Sequence, residues 1–177
     1  MRFIIVLVGC IIIFSCEKDL IEPVDCAGVS GGSAKLDNCG RCDEDPQNDC
    51  VDCTSHFAFN QSFQQASYFF TAVLINGIEV EPNDWVGAFN GDVCVGARNW
   101  DTSFCNSGVC DVPVLGDDGT EYTTGYMMPG GITSFQIYDV SEGMIYNTKT
   151  TEEIVPWSNY NFQIISTLES TTAAPCQ

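Results

Sequence analysis

Two residue types carry most of the potential chemistry of this 177-residue chain: 11 cysteines, and 24 Asp and Glu set against 6 Lys and Arg. Cys26, Cys39, Cys42, Cys50 and Cys53 sit among glycines and acids in the stretch from Asp25 to Cys53. Thiols so spaced can ligate zinc, exchange as a redox dithiol, or pair as disulfides. The Cys39-x-x-Cys42 step alone fits the first two. The single histidine, His56, lies outside this unit, however, and no βαβ context surrounds the dithiol. In an oxidising compartment Cys26, Cys39, Cys42 and Cys50 pair with one another, in any of three connectivities. Cys105 and Cys110 are close enough to close a short loop. The carboxylates Asp37, Asp43, Asp45 and Asp49 of the cysteine-rich unit, and Asp117 with Asp118 further on, are hard oxygen donors of the kind that bind Ca²⁺, although they lack the spacing of an EF-hand loop.

Catalytic motifs are scarce. A histidine-based triad would have to be built on His56, and paired carboxylates carry little weight on so acidic a chain. There is no phosphate-cradling glycine loop and no zinc-protease motif. A formal net charge of −18 makes nucleic acid an improbable partner, because phosphate binding needs a cationic surface. Among the aromatics, Trp100 and Trp157 stand beside polar loop residues, Asn99, Asp101, Ser158 and Asn159, and are expected to be exposed as a platform for a sugar ring.

The N-terminus sets the compartment. Arg2, an apolar run from Phe3 to Phe14, and Ser15 before Cys16 form an export signal, too short to span a bilayer. Ile13-Phe14-Ser15-Cys16 resembles a bacterial lipoprotein cleavage box, which makes Cys16 the lipidated first residue. Leu7-Val8-Gly9-Cys10 also fits the box, but cleavage there would leave too little signal core. The start Glu17-Lys18-Asp19 resembles lipoproteins of Bacteroidota, and that resemblance implies an acyl anchor in the outer membrane with display on its outer face. The expected organisation is a signal peptide (1–15), a tether (16–24), a cysteine-rich acidic stalk repeat (25–53), a β domain (54–168) and a tail (169–177).

Residues 54–168 show no helical period. Apolar runs punctuated by glycine turns about every ten residues give β-type segments at His56–Asn60, Tyr68–Ile75, Ile132–Val140, Met144–Tyr146 and Tyr160–Ser166. The organising element is a hairpin over Glu81–Arg98, turning at Asn90-Gly91. The expected fold is all-β, an antiparallel Ig-like sandwich preceded by a small disulfide-rich irregular segment.

The stalk pattern, Asp25-Cys26-Ala27-Gly28 through Asp37-Asn38-Cys39-Gly40-Arg41-Cys42 to Asp49-Cys50, resembles a small repeat of secreted bacterial proteins. It is also similar to a stretch in secreted metalloproteases that carry thrombospondin repeats. Phe59-Asn60-Gln61-Ser62, Asp84-Trp85-Val86-Gly87-Ala88-Phe89, Val95-Gly96-Ala97-Arg98 and Phe135-Gln136-Ile137-Tyr138-Asp139 resemble a module repeated in large surface proteins of marine and gliding bacteria. That resemblance implies an extracellular binding or architectural role and no enzymatic activity.

Setting Cys10 and Cys16 aside leaves nine cysteines, an odd number. A Cys53–Cys176 pair would clasp the ends of the β domain and leave Cys94 as a buried free thiol. The function expected is that of a non-catalytic structural, accessory or adhesion module working through protein–protein contacts in a surface assembly. The alternative is a glycan-binding lipoprotein of a nutrient-uptake complex.

Overall fold

The computed structural model describes residues 22–36, 42–44, 53–105 and 107–175. In the cysteine-rich segment, β1 (Lys35–Leu36) pairs antiparallel with β2 (Cys42–Asp43), and a Cys26–Cys42 disulfide closes the unit. Asp25 organises the turn before it, accepting the N–H groups of Ala27 at 3.0 Å and Val29 at 2.8 Å on one carboxylate oxygen. With so few apolar side chains, covalent and polar links of this kind hold the segment in place of a core.

The remaining strands are β3 (Gln65–Ile75), β4 (Ile78–Glu79), β5 (Trp85–Asn90), β6 (Val93–Asn99), β7 (Cys110–Leu115), β8 (Ser134–Asp139), β9 (Met144–Thr150) and β10 (Phe162–Pro175). The all-β expectation holds, but the arrangement is not two antiparallel sheets face to face. Among the described residues these strands form one sheet in the order β4-β3-β10-β9-β8-β5-β6, with β7 pairing the first half of β3 on the side where β4 pairs the second. It is a mixed sheet, because β10 runs parallel to β3 while the other pairs are antiparallel. Alternation along a strand reveals which face is apolar, not which strand it pairs with, so the parallel partnership between distant segments was invisible in the sequence.

The sheet curls until β7 meets β6. Gly96 permits this approach: a Cβ there would overlap the carbonyl oxygen of Pro113. Arg98 then ties the two strands, its Nε donating to the Asp111 carbonyl at 2.5 Å and its Nη2 to the Asp111 carboxylate at 2.7 Å. The enclosed face carries the main core: Tyr68 and Phe70 from β3, Val86 and Ala88 from β5, Val112 and Val114 from β7, Phe135 and Ile137 from β8, Ile165 and Leu168 from β10. Phe70 and Phe135 meet edge to face with ring centroids 5.0 Å apart.

Three local expectations change. His56–Asn60 is not a strand, because Cys53–Phe57 forms a 3₁₀ turn that drives Phe57 onto the sheet instead of alternating along it. The organising hairpin turns at Gly91-Asp92, since Asn90 is still paired, opposite Val93. The expected tail is strand through Pro175, where β10 leaves β3 and continues along β9.

Candidate functional site

The outer face of the sheet has two aromatic regions that the fold treats differently. Over β5, β6 and β8, the 3₁₀ turn Cys53–Phe57 lies on the sheet and buries Phe57 with Phe89, Cys94, Ala97 and Tyr138. Gly87 makes room for the Phe57 ring, and a Cβ there would come within 2.5 Å of it. The Cys53 N–H donates to the Tyr138 hydroxyl at 3.3 Å. His56 stacks on Phe89 with centroids 5.0 Å apart, and its Nε2 meets the Gln136 side-chain oxygen at 2.8 Å. This histidine is thereby engaged in closing the cap.

Over β3 and β10 no such cap exists among the described residues. The residues of β3 and β10 that alternate with the core set, Gln65, Ser67, Phe69, Phe162 and Ile164, point outward, and the parallel register places Phe162 beside Ser67 and Ile164 beside Phe69. The Ser62-Phe63 corner and the Tyr160-Asn161 turn rise on either side. The result is an open groove of about 660 Å³. Its aromatic and aliphatic side chains are bare: Phe63 is 89% exposed, Tyr160 83%, Phe162 67% and Ile164 64%. Among the described residues the lining contains no charged one, on a chain with 30 of them.

The turn that carries Tyr160 is held firmly. Trp157 is fully buried beneath it, with its indole N–H donating to the Val114 carbonyl at 3.0 Å and its ring packed against Gly116. The Gln65 N–H donates to the Asn159 side chain at 2.9 Å, and the Tyr160 N–H donates back to the Gln65 carbonyl at 2.8 Å. Tyr160 itself sits at φ +63°, a left-handed conformation that costs a non-glycine residue about 1 kcal/mol or more. The same contacts fix the backbone from which its ring projects.

The positions expected to carry function fare unevenly. Trp100 and Trp157, read as an exposed platform, are both buried, and this is a correction: Trp100 packs on Phe70, and Trp157 anchors the turn below the groove. Polar sequence neighbours misled the reading, because the loops carrying the two indoles fold over the ends of the core. The exposed ring is Tyr160, three residues beyond Trp157. Phe162 and Ile164 share a strand with buried Ile165 and Leu168, so apolar residues occupy both parities, a signal that both faces of β10 are apolar.

Among the cysteines, Cys105 and Cys110 are bonded, as are Cys26 and Cys42. Cys53 is also in a disulfide. Cys94 is a buried free thiol, and burial pushes its pKa up. Cys16, Cys39, Cys50 and Cys176 lie outside the described residues, as do Asp37, Asp45 and Asp49. The side chain of Asp43 is likewise outside them. Asp117 turns its carboxylate into its own loop, and Asp118 both braces that loop and accepts the Phe63 N–H at the groove corner at 3.3 Å. Asp117 accepts the Gly119 N–H at 2.8 Å; Asp118 accepts the hydroxyls of Thr123 at 2.7 Å and Thr120 at 2.8 Å. Those hydroxyls hold the Asp118 carboxyl well below the usual carboxylate range. No three metal-ligating side chains converge among the described residues.

Asp84, at the root of the organising hairpin, is the one fully buried acid among the described residues. Its carboxylate accepts the N–H groups of Glu81 at 2.8 Å and Val140 at 3.0 Å, and its carbonyl accepts Trp100 N–H at 2.7 Å. Burial pushes its pKa up to about 6, against the lowering effect of those two N–H groups, with Asp139 and Glu81 adding repulsion. Both oxygens brace the hairpin against the end of β8. Compared with known protein families, with curated proteins and with solved structures, the chain has no match.

Proposed function

We propose that this protein is a lipid-anchored, surface-displayed module of the outer membrane that works by contact and not by catalysis, as an accessory or adhesion component of a surface assembly. Its contact face is the groove over β3 and β10. One observation carries the reading: four large apolar side chains, Phe63, Tyr160, Phe162 and Ile164, stand exposed on a face with no charged lining residue among the described ones. Covering any one of them would yield about 1.5–3 kcal/mol, and contiguous apolar surface of this kind marks an interaction site. The groups best suited to chemistry are occupied in holding the fold: His56 closes the cap and Asp84 braces the hairpin. The export signal and Cys16 supply the anchor on this reading, with acyl chains holding the protein at about 0.8 kcal/mol per buried CH₂.

Extraction from outer membranes in mild detergent, followed by size-exclusion chromatography and mass spectrometry, tests it. The wild-type chain is expected to travel with a partner, and Phe162→Ser to lose it while keeping its unfolding midpoint. A wild-type chain that elutes alone, or a variant that keeps the partner, contradicts the assignment of this face.

A further inference from the structure

Resting on the contact-face reading above, we infer that the groove over β3 and β10 is a saccharide site, and that its occupant is a neutral polysaccharide chain. Three features of the groove point there. The first is charge. Among the described residues no lining side chain is charged although the chain carries 24 acidic residues, so these side chains offer no charge to an ionic ligand, and the field of the whole molecule repels an anionic one.

The second feature is the mixture of groups. The rings of Phe63, Tyr160 and Phe162 are largely exposed and frame the groove. The face of an aromatic ring carries partial negative charge, which suits the polarised C–H groups on one face of a pyranose. Between the rings lie the amides of Gln65 and Asn161, the Ser67 hydroxyl and the Tyr160 hydroxyl. None of these four polar side-chain groups has a hydrogen-bond partner among the described residues. Each can donate and accept, matching sugar hydroxyls, which do both.

The third feature is size. The groove's volume of about 660 Å³ lies in the range of a ligand site, room for a few sugar rings. The Tyr160 backbone fits the same picture: its N–H bond to Gln65, and the Asn159 and Trp157 bonds beside it, hold the turn from which the ring projects before any ligand arrives, which lowers the cost of ordering the site on binding.

Native affinity electrophoresis of the full chain provides the test, in gels containing dextran, laminarin, glucomannan or xyloglucan as neutral probes and alginate as the anionic one. Retardation by at least one neutral probe is expected, changing less than twofold between 0.05 and 0.5 M NaCl, with none by alginate. Tyr160→Ala and Phe162→Ala should each weaken it at least tenfold without moving the unfolding midpoint. Phe104→Ala, an exposed aromatic on another loop, should not weaken it.

No retardation by any neutral probe, or retardation that both groove variants retain, overturns the saccharide inference. The membrane copurification experiment separates that failure from failure of the contact-face reading. If polysaccharide is ignored but Phe162→Ser still loses a protein partner, the face stands and its occupant is a protein. If neither experiment responds to groove substitutions, both readings fall.

Discussion

The two aromatic regions on the outside of this sheet differ in one respect, which is whether the chain covers its own surface. Over β5, β6 and β8, Phe57 and Cys53 complete a small second core with Phe89, Cys94, Ala97 and Tyr138. Over β3 and β10, rings of similar size are left in water. The capping device is modest, a five-residue 3₁₀ turn seated on a bare glycine. Among the described residues the fold caps one apolar face and leaves the other open at a thermodynamic cost, and that contrast supports the proposal that the open face is the functional one.

The comparison can be broken most forcefully at the cap. Phe57→Ala removes a fully buried ring and should cost about 3–5 kcal/mol in denaturant unfolding. A loss below about 1 kcal/mol would mean that the turn merely rests on the sheet.

The next effect is pH dependence at Asp84, which braces the hairpin bearing the capped face. Burial pushes its pKa up to about 6 in the folded chain, against about 4 when unfolded, so between those values the native state holds a proton that the unfolded chain releases. Stability from this group is therefore greatest below pH 4 and declines as pH rises through 6, by about 3 kcal/mol for a shift of about two units. Asp118 and Glu152 act in the opposite sense. Hydroxyls hold Asp118 low, and the Ser166 and Thr151 hydroxyls hold Glu152 down to about 2, so their contributions are present above pH 4 and fade in acid. Asp84→Asn should flatten the decline between pH 4 and 7 and leave the acid limb in place, as followed by urea midpoints at each pH.

A smaller effect sharpens the same contrast. Gly87→Ala pushes a methyl into the Phe57 ring and should cost about 1–3 kcal/mol, the usual range for overpacking. Because Cys94 lies under the cap, this variant should also quicken its reaction with a thiol reagent. In the wild type, Cys94 should be silent until unfolding, and Cys94→Ala should yield one equivalent fewer from the unfolded chain. A thiol that reacts at once in the native wild type would show that the face is not sealed.

The sequence was informative where local chemistry decides the outcome. The glycine-punctuated apolar runs announced an all-β chain, the hairpin expected over Glu81–Arg98 was readable from its two apolar runs although it turns one residue later than Asn90-Gly91, and Cys105–Cys110 was readable from its spacing. Pairing between distant strands was not readable, because nothing in Gln65–Ile75 or Phe162–Pro175 marks the two as parallel neighbours. The candidate site failed for the same reason. Trp157 and Tyr160 are three residues apart in similar polar surroundings, and only the path of the turn determines that one ring goes under the groove and the other over it. The double parity of Phe162, Ile164 and Ile165 did carry the information that both faces of β10 are apolar, though not which face stays bare.

The most direct test of the account replaces the open face while leaving the capped one alone. A Phe63→Ser, Tyr160→Ser, Phe162→Ser triple variant should unfold within about 1 kcal/mol of wild type, as expected for exposed positions, while losing capture by the wild-type chain's surface ligand. The measurement is one urea titration paired with one binding assay on the same preparation. A variant that folds normally and still binds would contradict the claim that this bare face is where the protein works.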